Sequence, residues 1–517
     1  MNVKIDEKSK IPVYLQLSNQ LKKEILSGKL PIGSILPSER AMAQLLGVHR
    51  NTVARAYNEL KAEELIDSRQ GVGYEVRMGE WSEEVEKGAS LKDSEADYSR
   101  YSNRKSNTKP KLERKTVKKV NWFDQIKDEY IDMEVTFDDL FQRFGDEKLI
   151  SMGSGIACPG IYDKRQIAED LANMISEEGK VQYFYSPYKG ELFLRKKITS
   201  LLSTKGVKAT AGQIQILTET NQALDFLVML LIKQGDTVIM EEPVSPDVYR
   251  AIELAGSKLV TVPVDENGMM VDRLEDLVIQ HKPRFIYVNS SFHDPTGTIL
   301  SLERRKRILE ISNQHRIPII EEDAASELVY EGEKLPPIKA FDTAQNVIYI
   351  YSFSLTFVPG LSLAFVAADK NVIRSLSYLV SVRMVSTDWI AQKLVAGYLD
   401  DGSYYKVLES FRDNYGRKQE LVCHRLDEMR TLGVTYKRPR GGVYIWCRLP
   451  AGIDSRKLTE TAYKRGLALL PGYVFYPFKN GGRDHIRINY SYETEERLEV
   501  GMRLLKESIE DELAQEK

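Results

Sequence analysis

The sequence is poor in cysteine: Cys158, Cys423 and Cys447 are the only three in 517 residues, and they lie far apart. That spacing excludes a disulfide framework and a cysteine-built metal site, and it fits a reducing cytoplasm. Long apolar runs are missing too. The most apolar stretches, such as LDFLVMLLI (224–232), fall short of the roughly 18 residues that a membrane span needs and read as buried helices. The opening MNVKIDEKSKIPVY has no apolar core of signal-peptide length, so neither a leader nor membrane association is expected. Charge is balanced, with 73 Lys and Arg against 75 Asp and Glu and a formal net charge of −2. Any surface for a polyanion must therefore be local. Internal repeats are absent.

What is present suits a soluble chain of two or more domains: the length is about three times that of a typical domain, with 42% hydrophobic and 29% charged residues. Residues 1–78 read as one domain, with three helices and a two-stranded wing over 11–76. Residues 79–147 are polar and sorted into an acidic half and then a basic half, the composition of a flexible linker. A helix is expected near its end, around NWFDQIKDEY (121–130). From 148 to 517 the pattern alternates. Apolar runs (IQIL, DTVIMEE, RFIYVN, IPIIEED, NVIYIYSF) are separated by helical stretches (NQALDFLVMLLI, SPDVYRAIELAG, SLERRKRILEISNQH). Such alternation predicts an α/β domain with a mainly parallel sheet covered by helices. Its large subdomain is placed at about 170–400 and a small α+β subdomain at about 400–517.

The segment LPSERAMAQLLGVHRNTVARAYNELKAEELIDSRQGVGYEV (36–76) is the most informative. Ser38 is placed to cap a helix. Ala41, Leu45 and Leu46 are expected on the apolar face of that helix. Gly47 permits the tight turn of a helix-turn-helix. Arg50, Asn51 and Thr52 fall at the start of the next helix, where side chains reach base edges and the helix N-terminus can meet a phosphate. Val53, Ala56, Tyr57 and Leu60 recur at helical spacing and pack that helix onto its core. Gln70-Gly71-Val72-Gly73-Tyr74 carries the glycines of a wing tip. The stretch resembles the winged-helix domain of the GntR family over about 65 residues. The resemblance implies binding to a double-stranded DNA operator through Ser38, Arg40, His49, Arg50, Asn51 and Thr52, assisted by Arg55, Gln70, Gly71 and Gly73.

A head of this kind, a long linker and an alternating α/β body together resemble the MocR subfamily, whose body is similar to a fold type I aminotransferase and holds pyridoxal 5′-phosphate. YSPYKGELFLRKKI (185–198), NQALDFLVMLLIKQGDTVIMEEP (221–243), DPTG (294–297) and SFSLTFVPGLSLAF (352–365) carry the likeness in order. Pyridoxal chemistry needs a lysine, an acid for the pyridine nitrogen, a phosphate cup and an arginine for the substrate carboxylate. Six of the matching positions depart from the family's pattern. Leu355 stands where the lysine belongs and Ser362 where an arginine does. Glu322 replaces the usual aspartate, and Ala324 a tyrosine. Glu219 replaces the glycine of the phosphate cup, and Ser245 the stacking aromatic. Four positions match: Ser352 and Ser354 for the phosphate, Tyr185 for the phosphate of a neighbouring subunit, and Arg487 for a substrate carboxylate.

The resemblance with its departures implies a cytoplasmic transcription regulator. It is expected to be a homodimer without catalytic residues, metal or covalently bound cofactor. Its degenerate pocket would be free to sense a small effector, one bearing a carboxylate if Arg487 keeps its role. The alternatives are a regulator that keeps pyridoxal phosphate non-covalently as its signal, an aminotransferase carrying a DNA-binding head, and an architectural dimer without a ligand.

Overall fold

The computed structural model describes residues 13–26, 30, 34–62, 65–69, 73–76, 125, 144, 148–157, 160–177, 185–384 and 386–515. The expected linker lies almost wholly outside the described residues, as do the helix expected at 121–130 and the wing residues Gln70 and Gly71. The chain divides into two units, Met1–Asp132 and Met133–Lys517.

In the first unit, α1 (Val13–Leu26), β1 (Ile35–Leu36), α2 (Glu39–Leu46), α3 (Arg50–Ala62), β2 (Ile66–Arg69) and β3 (Gly73–Val76) follow in order. Leu17, Leu21 and Ile25, one turn apart on α1, meet Met42 and Ala43 of α2 and Val53, Ala56, Tyr57 and Leu60 of α3 in one core. Ser38 caps α2, its Oγ accepting from the Ala41 N–H at 3.3 Å. Gly47 closes the same helix at φ 67°, a left-handed conformation that glycine adopts without Cβ strain. Two expectations need correcting. The buried residues of α2 are Met42 and Ala43, while Ala41 is exposed and Leu45 is 67% exposed. Only about a third of the circumference of this two-turn helix faces the core, and Leu45 lies past the edge of that stripe. The wing is also three-stranded rather than two-stranded, because the two residues of β1 pair antiparallel with β3.

The second unit begins with β4 (Ile150–Ser151), α4 (Lys164–Glu177) and α5 (Leu192–Thr204). It continues through β5 (Ile214–Leu217), α6 (Thr220–Leu231), β6 (Thr237–Glu242), α7 (Pro246–Leu254), β7 (Lys258–Asp265), β8 (Gly268–Met269), α8 (Leu274–His281), β9 (Ile286–Asn289), α9 (Leu302–His315), β10 (Ile319–Asp323), β11 (Val347–Ser352) and β12 (Ala364–Ala367). The eight-stranded sheet runs β5-β12-β11-β10-β9-β6-β7-β8. Neighbours from β11 to β7 are parallel, whereas β12 is antiparallel to both β11 and β5. All five expected strand runs form strands of this sheet. β7, β8 and β12 were not expected. The sheet is covered on both faces, so its central strands carry apolar runs, with acidic residues only towards the carboxyl ends of β6 and β10. Along β11 the side chains alternate: Ile348 and Ile350 enter one core, Tyr349 and Tyr351 another.

Helices α10 (Lys370–Arg383), α11 (Trp389–Asp401) and α12 (Ser403–Glu428) lead to the small subdomain. There β13 (Thr435–Tyr436), β14 (Tyr444–Arg448), α13 (Ser455–Lys464), β15 (Leu467–Ala468), β16 (Leu470–Pro471), β17 (His485–Asn489) and α14 (Glu495–Gln515) complete the chain. The order β13-β14-β17-β16 is antiparallel throughout. The first strand of the body, β4, pairs with β15 near its end, so the small subdomain is not a continuous segment.

Candidate functional site

In the head, α3 begins at Arg50, which is exposed together with the preceding His49, while Thr52 is half-buried and Val53 enters the core. Arg40 and Ser38 are exposed on the neighbouring α2 and its cap. Arg50 does not wave freely. Its Nε donates to Glu39 Oε2 at 3.0 Å, and Glu39 Oε1 accepts from the Tyr74 hydroxyl at 2.8 Å. Tyr74 in turn packs edge-on against Tyr57, 4.8 Å between centroids. The wing strand β3 thus orients the first residue of α3. Arg55 is held differently: its guanidinium lies 3.8 Å from the centroid of the Tyr14 ring.

In the body, a cavity of about 190 Å³ opens where β5, β6, β9, β10 and β11 end. Ligands of open α/β sheets bind at the carboxyl ends of parallel strands. Each strand delivers polar residues at or beyond its carboxyl end: Glu219 after β5, Ser245 and Asp247 after β6, Asp294 after β9, Glu322 within the last residues of β10, and Ser352 and Ser354 at and after the end of β11. Glu219 caps α6. Its Oε2 accepts from the Thr220 N–H at 2.9 Å and from the Ser352 hydroxyl at 2.9 Å, and its Oε1 accepts from the Ser354 hydroxyl. A helix N-terminus and two hydroxyls form a ready anion site, and here the chain's own carboxylate is the anion. Leu355 lines the same cavity and packs against the main core.

Arg487, at 5% exposure, is engaged in the same manner. Its guanidinium donates to both oxygens of Asp294, at 2.7 and 2.9 Å, and to the Gly153 carbonyl at 2.6 Å, and it lies 4.3 Å from the centroid of the Tyr444 ring. On the cavity wall, burial pushes the Glu322 carboxyl up to about 7. The nearby charges of Asp294, Glu219 and Asp247 add to that rise, and donation from the Tyr287 hydroxyl at 2.5 Å opposes it.

Behind the wall, burial pushes Glu241 up to about 8, although the Asn289 N–H donates to it at 2.7 Å. His293, whose Nε2 is 3.6 Å from Glu241, is driven by burial down to about 3 and is neutral near pH 7. A carboxyl raised in the folded chain keeps a proton that the unfolded chain releases, so stability falls as pH rises from 4.5 to about 8. The depressed His293 acts oppositely, but only between about 3 and 6.5. From pH 6.5 to 8 the Glu241 contribution is therefore unopposed by His293, at up to about 1.4 kcal/mol per pH unit. Urea denaturation across this window should show wild-type stability declining more steeply than that of Glu241→Gln. Equal slopes would refute the assignment.

The cavity brings together Glu219, Ser245, Glu322, Ala324, Ser352, Ser354 and Leu355, all singled out from the sequence. Arg487 adjoins it through Asp294 and Tyr444. Tyr185 is not among the lining residues and is 77% exposed. Ser362 is also absent from the lining; it is exposed and sits in the left-handed region at φ 45°. Sequence reasoning missed Asp247, Tyr287, Asn289, Phe292 and Tyr444. It quoted Asp294 within DPTG without giving it a role, although an acid there was the available signal.

Residues 153–505 match the family of class I and II aminotransferases, and residues 13–76 match the gntR family of bacterial regulatory proteins. The chain is 27% identical to the uncharacterised HTH-type transcriptional regulator YdfD of Bacillus subtilis, over 95% of each chain. It is 26% identical to the probable rhizopine catabolism regulatory protein MocR of Rhizobium meliloti, over 90% of this chain and 88% of that one. Over 72% of its length it is 31% identical to the 2-aminoadipate transaminase of Thermus thermophilus, covering 93% of that enzyme. The crystal structure of the α-aminoadipate aminotransferase LysN from Thermus thermophilus, complexed with N-(5′-phosphopyridoxyl)-L-leucine, superposes with a TM-score of 0.70 at 29% identity. That match covers 77% of this chain and all of LysN.

Proposed function

We propose, on the premise that the chain belongs to the class I and II aminotransferase family and joins that body to a GntR-type head in the MocR arrangement, that it is a transcription regulator whose body has lost covalent pyridoxal phosphate chemistry. The head reads a duplex operator through Ser38, Arg40, His49, Arg50, Asn51 and Thr52, with Arg55 and the wing at Gln70, Gly71 and Gly73 assisting. The seating of Glu219 carries the reading of the body. Thr220 N–H, Ser352 and Ser354 would face a cofactor phosphate, and all three already donate to this carboxylate. A phosphate brought to the same donors would meet a negative charge at contact distance. Leu355 beside it has no amine with which to hold the cofactor. Glu322, Ala324 and Ser245 complete a pocket that has changed its ligand, and the effector acts there.

The body works as a homodimer. Tyr185 and Tyr188 before α5 and Leu192 and Phe193 in its first turn are exposed apolar side chains, the kind of surface that a second copy covers. Two-fold symmetry then suits a paired half-site. The site of action is the cytoplasm, and among the described residues no helix is long and apolar enough to cross a membrane.

The test is selection from a pool of random duplexes. The full chain should enrich a sequence with two related half-sites, and residues 148–517 should enrich none while sedimenting as a dimer at micromolar concentration. Absence of enrichment by the full chain, or a monomeric body, would overturn the proposal.

A further inference from the structure

We infer that the cavity at the strand ends takes a small organic cation, an alkylammonium or guanidinium compound, and not an anion; the inference rests on the effector reading only for its regulatory consequence. Four acidic side chains line the cavity, those of Glu219, Asp247, Asp294 and Glu322, and no lysine or arginine is among the lining residues. Asp294 is paired with Arg487 and Glu322 is raised to about 7, so Glu219 and Asp247 carry most of the charge near neutral pH. The two groups of donors that would attract an anion are both engaged within the chain. The end of α6 with Ser352 and Ser354 holds Glu219, and Arg487 holds Asp294. A carboxylate-bearing ligand would have to displace one of these internal carboxylates and then remain beside the others. An ammonium or guanidinium group need displace none of them and meets the exposed Asp247 carboxylate first.

Two further observations point the same way. Asn289 lines the cavity, and its buried side-chain oxygen has no hydrogen-bond partner within the chain, so an acceptor is left over at the wall. Tyr287 and Phe292 also line the cavity, and aromatic faces attract cations, as the Tyr444 ring beside them already attracts Arg487. Size narrows the class. A volume of about 190 Å³ lies below the roughly 300 Å³ at which drug-sized ligand pockets begin, which suits a compound of a few heavy atoms. Asp247 is the exposed member of the set, joined to Asn221 Nδ2 at 3.3 Å, and stands where an entering charge would meet it first.

Calorimetric titration of the full chain with 1,4-diaminobutane, agmatine and benzylamine, against succinate and inorganic phosphate, tests the inference. At least one of the amines should bind ten-fold or more tightly than either anion, and Asp247→Asn should weaken it at least ten-fold. Because Asp247 is exposed, the variant keeps the fold, and its melting temperature checks that. Failure of all three amines to bind, amine binding unchanged in Asp247→Asn, or preferred binding of succinate or phosphate would overturn the cation assignment. DNA affinity measured with and without the bound amine separates the two readings. A bound amine that leaves DNA affinity unchanged supports the cation site and overturns the effector role.

Discussion

Borohydride reduction after incubation with pyridoxal 5′-phosphate should leave the segment 352–365 of the wild-type chain without a pyridoxyl adduct, and Leu355→Lys alone should not change that. The wild-type result follows from chemistry: only an amine can make the covalent bond, and Leu355 has none. The result for the single variant follows from the neighbouring geometry. A new lysine would still face Glu219 seated on Thr220 N–H and the Ser352 and Ser354 hydroxyls, where the phosphate has to go. Adding Glu219→Gly should reverse the outcome. It frees three donors to a charged partner, each worth about 1.5–3 kcal/mol, while glycine at a helix N-cap costs only a few tenths of a kcal/mol. Even partial recovery, about 3 kcal/mol, tightens binding roughly 100-fold. Intact mass and peptide mapping read both results. A wild-type adduct within 352–365, or an adduct in Leu355→Lys equal to that of the double variant, would remove the basis for a changed pocket.

Arg50→Ala should weaken binding to the selected duplex by about 1–3 kcal/mol, roughly 5- to 150-fold, with little loss of stability. The contrast with Arg55 makes this specific. Arg50 is exposed and makes a surface ion pair with Glu39, an interaction worth about 0–1 kcal/mol. Arg55 lies over the Tyr14 ring and braces α3 against α1. Arg55→Ala should therefore lower the melting temperature of the head more than Arg50→Ala does, and affect DNA affinity less. Gel shifts at matched salt and melts of the two variants decide it. Unchanged affinity in Arg50→Ala would sink the assigned reading face.

The parts of the fold legible in the sequence were those written locally. Strands buried on both faces need mainly apolar runs, and IQIL, TVIMEE and VIYIYS announce themselves. Helix α2 is marked at both ends, by Ser38 and Gly47. The lost readings depended on distant partners. Strand β7 is only partly buried and carries Pro263, so its apolar signal is diluted. β12 is four residues long and gains its meaning from β5 and β11 on either side. The same holds for the site. Glu219 could be recognised as out of place in a phosphate cup, but not that it would occupy the cup itself, because Ser352 and Ser354 are more than 130 positions away. Arg487 suggested a carboxylate ligand. Its partner proved to be Asp294, 193 positions earlier, and no local pattern predicts such a pair.

The pairing of β4 with β15 bears on the order in which the chain matures during synthesis. Ile150 and Ser151 take backbone partners at Leu467 and Ala468, and the Ser151 N–H reaches the Glu493 carboxylate 342 positions further on. At ribosomal speeds of about 5–20 residues per second, that partner emerges on the order of tens of seconds later. Among the described residues the core of the head is drawn from Tyr14 to Val76, so its contacts are local and form quickly. A nascent chain therefore carries a finished head well before its body can close, so the head is folded in an interval when the cavity at the strand ends does not yet exist.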